Sequence, residues 1–481
     1  MKSIKKNYLF NLGNQILTFV TPLITAPYLS RVLEADGIGT FSYIESICSY
    51  FALFAGLGLG LFGQREISYY QDNRKERTRV FWEVNVLEFI STAIWMIAYV
   101  VFSLQQDSPL FYLAISFNIL IGITDISWLY RGMEEFGKIV FRSIVFKIIN
   151  IASLFLFIKT KNDLLLYLFL TSFFGFINSL TYWISIKKLI DWPNWKELKP
   201  FRHMRVVLAL FVPTIATQIY TVLDKTMIGI IASSAFENGY YEQAIKISRL
   251  VLSLITALGT VMIPRIGYCF NSGNQEAVKQ YIYRGYRFVW FMGIPMCVGL
   301  AIVSKNFVPW FFGDGYEKVI PLIGILSLLI IAVGINNVTG VQYLIPTKRE
   351  NKYTVTVVIG ACTNLVLNCF LIYFLQSIGA AIASVVAETV IAIVQIVMVR
   401  KELSPITILK SAKNYVLAVI PMGIMLFVIC DYFPATILST AVLCLGGTGV
   451  YFVSLFLLKD EFFQMYLYEI ICKLRSRFTK V

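Results

Sequence analysis

The sequence is short of charge. Only 15% of its 481 residues are Asp, Glu, Lys or Arg, against 57% hydrophobic residues and a mean hydropathy of +0.70. A soluble domain carries about 25% charged residues. An apolar excess this large has no single core to fill, so it faces lipid. Histidine is almost missing: His203 stands alone in a basic loop, with no ligand set around it for a metal. The eight cysteines (48, 269, 297, 362, 369, 430, 444 and 472) include no CxxC pair and lie mostly inside apolar runs. That implies neither a disulfide framework nor a zinc site. No GxxxxGK[ST] stretch is present, so direct ATP drive has no support and no cofactor is expected. Alternating segments of about ten residues are lacking too, which argues against a β-barrel. There is no soluble domain either: every loop is short, and the longest inner ones (63–80, 187–205 and 265–287) are basic.

What remains is a series of apolar runs of the length that crosses hydrocarbon as helix, about 20 residues each. They fall at 8–29, 38–62, 81–103, 110–130, 139–158, 164–186, 206–232, 241–266, 286–304, 319–345, 353–375, 379–399, 412–430 and 435–458. This predicts an all-α polytopic membrane protein with fourteen spans. The first run follows Met1–Lys6 without a small-residue cleavage site and reads as a retained span. With the N-terminus in the cytoplasm, 33 of the 42 Lys and Arg residues fall on inner segments and seven on outer ones. That is a strong positive-inside bias. The net charge of +14 is then orientation charge with some attraction to anionic lipid, and it needs no nucleic-acid partner. Both termini are expected on the cytoplasmic side. The tail 459–481 alternates apolar and charged residues, as either an interfacial amphipathic helix or a frayed basic tail.

An internal repeat is visible. Asp36-Gly37 opens the second run and Asn238-Gly239 the eighth; Arg65 follows the second and Arg265 closes the eighth. Pro22 and Pro27 interrupt the first run and Pro213 the seventh, as candidate hinges. The spacing predicts a six-helix lobe over 1–200, a second over 201–405, and two further spans with a basic tail over 406–481. Parallel repeats rocking around a midplane cavity are a transporter plan. Gly56-Leu57-Gly58-Leu59-Gly60 reads as a small-residue face for close helix packing.

Charges inside the runs carry the functional argument, because a charge in hydrocarbon faces a partner or a cavity. Asp224 and Lys225 lie in the seventh run, Lys246 and Arg249 in the eighth. At 1.5 Å per residue Asp224 and Arg249 sit at a common depth of about 12 Å. Two readings stand: an ion pair docking two helices, or a cationic site facing substrate. Glu88 and Lys147 reach a similar depth from the inner face and are expected to pair. Glu45, Asp125 and Glu388 are candidate coupling acids, for proton or sodium, with a protonated structural acid as the alternative. Arg31, at the outer end of the first run, is an interface anchor or a ligand. Asn11, Asn14, Gln15, Gln218, Tyr220, Asn336 and Asn337 suit either a sugar-facing wall or interhelical hydrogen bonding.

Two stretches resemble a known family. The first runs Pro27-Tyr28-Leu29-Ser30-Arg31-Val32-Leu33-Glu34-Ala35-Asp36-Gly37-Ile38-Gly39, with Gly63-Gln64-Arg65-Glu66-Ile67 after it. The second is Tyr220-Thr221-Val222-Leu223-Asp224-Lys225-Thr226-Met227-Ile228-Gly229. Gly239-Tyr240-Tyr241-Glu242-Gln243-Ala244-Ile245-Lys246-Ile247 follows it, and Val261-Met262-Ile263-Pro264-Arg265 closes it. They resemble the Wzx-type oligosaccharide-lipid flippases of the multidrug/oligosaccharidyl-lipid/polysaccharide exporter superfamily. Glu34 departs from that family's R-x-L-G-x-x-G-x-G turn, where glycine is usual. The resemblance implies a cargo of undecaprenyl-diphosphate-linked oligosaccharide, with polysaccharide polymerase and glycosyltransferases as partners. It implies that Lys246, Arg249 and Lys225, with Asp224 and Arg31, serve the head group, since cations in a low-dielectric cavity attract a diphosphate strongly. The rivals are a lipid II flippase, a multidrug antiporter of the same superfamily, and a membrane glycan polymerase or glycosyltransferase. Short basic loops argue against the enzyme.

Overall fold

The computed structural model describes residues 4–465 and 468, with side chains from Val20 onward apart from those at 212, 213, 216, 217, 219, 220, 258, 260, 261, 466 and 467. No strand occurs among the described residues. The helices are α1 (Ile4–Gly56), α2 (Leu59–Tyr69), α3 (Arg74–Leu104), α4 (Pro109–Ile115), α5 (Phe117–Thr124), α6 (Ser127–Gly132), α7 (Phe136–Phe157), α8 (Leu164–Thr181) and α9 (Met204–Met227). They continue as α10 (Ala235–Asn271), α11 (Gln275–Phe312), α12 (Val319–Leu326), α13 (Leu329–Asn336), α14 (Glu350–Leu375), α15 (Ser377–Val399), α16 (Pro405–Lys410), α17 (Lys413–Cys430) and α18 (Ile437–Leu457).

Twelve segments among the described residues are long and apolar enough to cross a membrane, so the chain is a multi-pass membrane protein of all-α class. Fourteen crossings are compatible with this, because the first segment, Val20–Tyr69, holds a break and α9 lies outside the twelve. The division of faces explains why such helices form. In α3 the exposed residues Ile94, Ile97, Val101 and Leu104 make one apolar stripe, while Val80, Val84, Leu87 and Ser91 lie buried against neighbours. The outward stripe is apolar, as a lipid-facing surface requires, and the polar Glu83 and Glu88 of the same helix are buried inside the protein. Asn73 caps α3 by accepting the Glu76 N–H, and Asn274 caps α11 by accepting that of Ala277.

The chain divides into two compact units, Met1–Gly239 and Tyr240–Val481. The first packs around Leu33, Ile38, Tyr99, Ile119 and Leu168, and separately around Phe62, Phe81, Trp128 and Tyr130. The second packs around Ile282, Tyr286, Val338, Tyr415 and Leu455.

Several expectations meet a different backbone. Helix α1 runs through Pro22 and Pro27, and its non-helical residue is Glu34, at φ 56° and ψ −179°. A left-handed φ with extended ψ is glycine territory. The Glu34 carboxylate lies 2.9 Å from the Lys161 ammonium, which is also 3.0 Å from Asp36. Gly56–Gly60 is a break between α1 and α2, with Leu57 at φ 45° and Gly58 at φ 70°, where a packing face was expected. Pro213 belongs to the side chains outside the described set.

The two repeat motifs singled out in the sequence meet inside the first unit. A Cβ on Gly39 would fall 1.7 Å from the Ala235 carbonyl oxygen, and one on Gly239 would fall 1.9 Å from that of Ala35. Only glycine permits this reciprocal backbone contact, which accounts for glycine at 39 and 239.

Candidate functional site

In the first unit the second half of α1 and the end of α9 bring three of the named residues, Glu45, Asp224 and Lys225, into the same region. Lys225 Nζ lies 3.9 Å from Glu45 Oε2. The Lys225 carbonyl accepts a 2.8 Å hydrogen bond from the Asn238 side-chain amide. Thr226 Oγ1 sits 2.9 Å from Ser46 Oγ and 3.1 Å from the Tyr50 hydroxyl. Asp224 is buried, and its charge acts on Tyr50. After Met227 the helix widens into a π-helical turn, Ile228–Ala232, where Gly229 has no room for a Cβ because the Tyr43 ring would be 2.1 Å away. Widened turns of this kind are frequent at functional sites. Arg31 is exposed and donates to the Pro27 carbonyl at 3.3 Å.

In the second unit Lys246 lies 3.1 Å from Glu242 one turn earlier, and Arg249 is exposed on the same helix. Two of the three expected phosphate ligands thus have a carboxylate beside them. Glu45, expected as a coupling acid, is one of those carboxylates.

Asp125 occupies the non-helical junction between α5 and α6, where its carboxylate accepts the Ser127 N–H at 2.8 Å. It neighbours Glu88, which is buried on α3 and whose Oε2 has no hydrogen-bond partner among the described residues. The expected Glu88–Lys147 pair is not the one that forms: Glu88 has Asp125 and Trp128 as its neighbours, and among the described residues no ion pair joins it to Lys147. Glu388 on α15 receives the Asn336 side-chain amide at both its carboxylate and, at 3.1 Å, its carbonyl. Asn337 accepts from Gln342 at 2.9 Å within a second π-helical turn, Asn337–Leu344. Both asparagines therefore act as hydrogen bonders in the helical framework. Asn11, Asn14, Gln15 and Tyr220 fall outside the described side chains, as does the tail from residue 469.

Sequence reasoning missed two polar clusters. Glu83, fully buried on α3, collects Arg202 at 2.7 Å, His203 at 2.8 Å, Arg79 at 3.5 Å and the Lys199 backbone N–H at 2.9 Å. The lone histidine thus serves a carboxylate. The signal was the acid itself, one of two carboxylates, with Glu88, in the apolar run 81–103. Glu402 takes Arg349 at 2.6 Å and the Tyr343 hydroxyl. Burial acts to raise the Glu402 pKa. The hydrogen bonds from Tyr343 and Arg349, with the charges of Arg349 and Lys352, outweigh it and hold the carboxyl below its usual range. Among the described residues no group of three or more His, Cys, Asp or Glu is placed to hold a metal ion.

This architecture is that of a known class of helical membrane proteins. A solved structure of the lipid II flippase MurJ in an inward closed conformation superposes with a TM-score of 0.72, covering 96% of this chain and all of that one at 18% identity. An inward-facing MATE multidrug transporter of the MOP superfamily superposes with a TM-score of 0.60, over 82% of this chain and 99% of that one, at 14% identity. The polysaccharide biosynthesis protein family matches residues 4–270, and the chain belongs to that family. The family resemblance read from the sequence is borne out. Among curated relatives, a putative O-antigen transporter of Escherichia coli (strain K12) is 22% identical over 83% of this chain and 97% of its own length. The lipid II flippase MurJ of Bacillus subtilis (strain 168) is 32% identical over 29% of this chain and 26% of its own. These relatives are named as transporters or flippases, and the non-enzyme reading rests on them.

Proposed function

We propose that the protein is a flippase that moves undecaprenyl-diphosphate-linked oligosaccharide from the inner to the outer leaflet of the cytoplasmic membrane. The match to a putative O-antigen transporter, over 83% of this chain and 97% of that one, carries this reading. In this reading the repeat lobes span 1–200 and 201–405, 406–481 is appended to them, and both termini are placed in the cytoplasm. Lys225, Lys246 and Arg249 hold the diphosphate, Asp224 and Glu45 tune the charge around it, and Arg31 anchors or guides the head group at the outer end. Carboxylates beside Lys225 and Lys246 support a role in exchange: cargo phosphate displaces an internal partner and is released when that partner returns. Such a site binds weakly enough to unload, because each cation is neutralised in both states. Pro22, Pro27 and Pro213 supply local give in their helices. Asp125, with Glu388 as a second acid, takes the coupling proton or sodium ion.

The test is export of surface polysaccharide from cells carrying Lys246→Ala with Arg249→Ala. The reading expects export to be lost while the protein still inserts and is extracted at wild-type level. Export at the wild-type rate removes these two residues from the site. A lipid II cargo is the second reading, favoured by the fold likeness to MurJ. Depletion distinguishes the two, according to whether the precursor left on the inner leaflet is an oligosaccharide repeat unit or lipid II.

A further inference from the structure

Beyond the residues assigned above, the second unit carries a basic cavity of about 510 Å³ lined by Gln280, Tyr283, Arg284, Arg287, Lys410 and Ser411, among others. Four of these share one face of α11, at positions i, i+3, i+4 and i+7. Lys410 ends the short helix α16, and Ser411 follows it. Two hydrogen bonds fasten α16 to α11: the Ser404 N–H donates to the Tyr283 hydroxyl at 2.9 Å, and the Trp290 indole donates to the Ile408 carbonyl at 3.1 Å. Ile408 is fully buried beneath the cavity. The concavity is therefore framed on both sides by fixed elements.

Its charge is unbalanced. Among the described residues neither Arg284 nor Lys410 has a carboxylate partner, and Arg287 reaches only Glu461, at 3.7 Å, which is 85% exposed. A neighbouring concavity of about 380 Å³ makes the contrast, since there Glu402 lines the wall and neutralises Arg349. Three cations around one hollow, with hydroxyl and amide groups between them, fit a compact anion that accepts several hydrogen bonds.

The anion is attached to lipid. Ile406 and Leu409, on the same short helix as Lys410, are 65% and 63% exposed. Apolar side chains outward and a cation at the rim are the pattern of a helix lying in a membrane interface. The segments holding these cations, 265–287 and 400–413, are both among the basic inner ones, where anionic lipids draw Lys and Arg. We propose that this cavity seats the phosphate of a membrane lipid head group, with Arg284, Arg287 and Lys410 as its ligands and the acyl or prenyl chain running out past Ile406 and Leu409. The phosphate belongs either to a bulk anionic phospholipid or to a polyprenyl phosphate.

The test uses the purified full chain in detergent and counts bound lipid by native mass spectrometry. The probes are phosphatidylglycerol, undecaprenyl phosphate and phosphatidylcholine, whose choline neutralises its own phosphate. Wild type should retain one of the two anionic lipids at least about tenfold more tightly than phosphatidylcholine. Arg284→Gln with Lys410→Gln should weaken that lipid by about tenfold or more, since each charge-assisted contact is worth about a decade. Preference for phosphatidylglycerol assigns the bulk lipid, and preference for undecaprenyl phosphate the prenyl carrier. Lys410→Gln alone, at an exposed helix end, serves if the double variant folds poorly. Variants that bind like wild type, or anionic lipids held no better than phosphatidylcholine, overturn the proposal.

Discussion

Replacing Glu34 by glycine should stabilise the protein, although it removes an ion pair. Glu34 holds φ 56° and ψ −179° in the middle of α1. A non-glycine residue in that region costs of order 1–3 kcal/mol. Glycine escapes this cost but gives back about 0.5–1 kcal/mol through the freedom of its unfolded chain. The lost contact with Lys161 is at the surface, where such pairs are weak, and Lys161 keeps Asp36 at 3.0 Å. The balance favours Gly over Glu by about 1 kcal/mol. Glu34→Ala separates strain from charge, because alanine loses the ion pair and keeps the steric conflict. Thermal unfolding in detergent at fixed scan rate should therefore rank Gly above Glu and Glu at or above Ala. The midpoint gap between Gly and Glu should be about 1–3 °C in a chain of this length. An alanine variant as stable as the glycine variant would refute the reasoning, because no left-handed strain would then be stored at this residue.

Gly39→Ala should destroy the folded protein rather than weaken it, because its Cβ would meet the Ala235 carbonyl oxygen at 1.7 Å; monodisperse yield after extraction checks this. Glu83→Ala should cost about 2–4 kcal/mol by stranding Arg202, His203 and the Lys199 N–H, with Glu83→Gln intermediate, as read from denaturation midpoints. Glu402, held below its usual pKa when folded, contributes stability that is present above the unfolded carboxylate pKa of about 4.3 and lost as pH falls through the folded value. Glu402→Gln should flatten that acid limb of the pH–stability curve; an unchanged limb means that other groups set it.

The sequence made some of this legible and left the rest hidden for physical reasons. Runs of apolar residues report membrane-crossing helices, because lipid demands a minimum length of apolar chain; fourteen runs are compatible with the twelve candidate spans among the described residues. The matched motifs Asp36-Gly37 and Asn238-Gly239 marked the right region, but the backbones touch at Gly239 and at Gly39, two residues past the matched Gly37. Residue counting gives position along a helix, but it does not give rotation about the helix: Glu88 and Lys147 were matched by counting, yet Glu88 has Asp125, on the α5–α6 junction, as its neighbour. The Glu83 cluster joins α3 to a segment more than a hundred residues later, a proximity that no local period encodes. The break in α1 was sought at proline and lies at Glu34, where distant contacts at Lys161 and Ala235 fix the path of the chain.

The connection between α14 and α15 is a single residue, Gln376, at φ 53° and ψ −128°. Gly379 lies so close to the preceding helix that a Cβ would be 2.1 Å from the Leu371 carbonyl oxygen. Two crossings joined this tightly leave no slack for one to lodge in the bilayer while the other waits outside. The pair is expected to enter the bilayer together, as one helical hairpin. A tag or glycosylation sequon spliced at residue 376 would therefore arrest assembly, and topology mapping by inserted reporters would give its least faithful answer there.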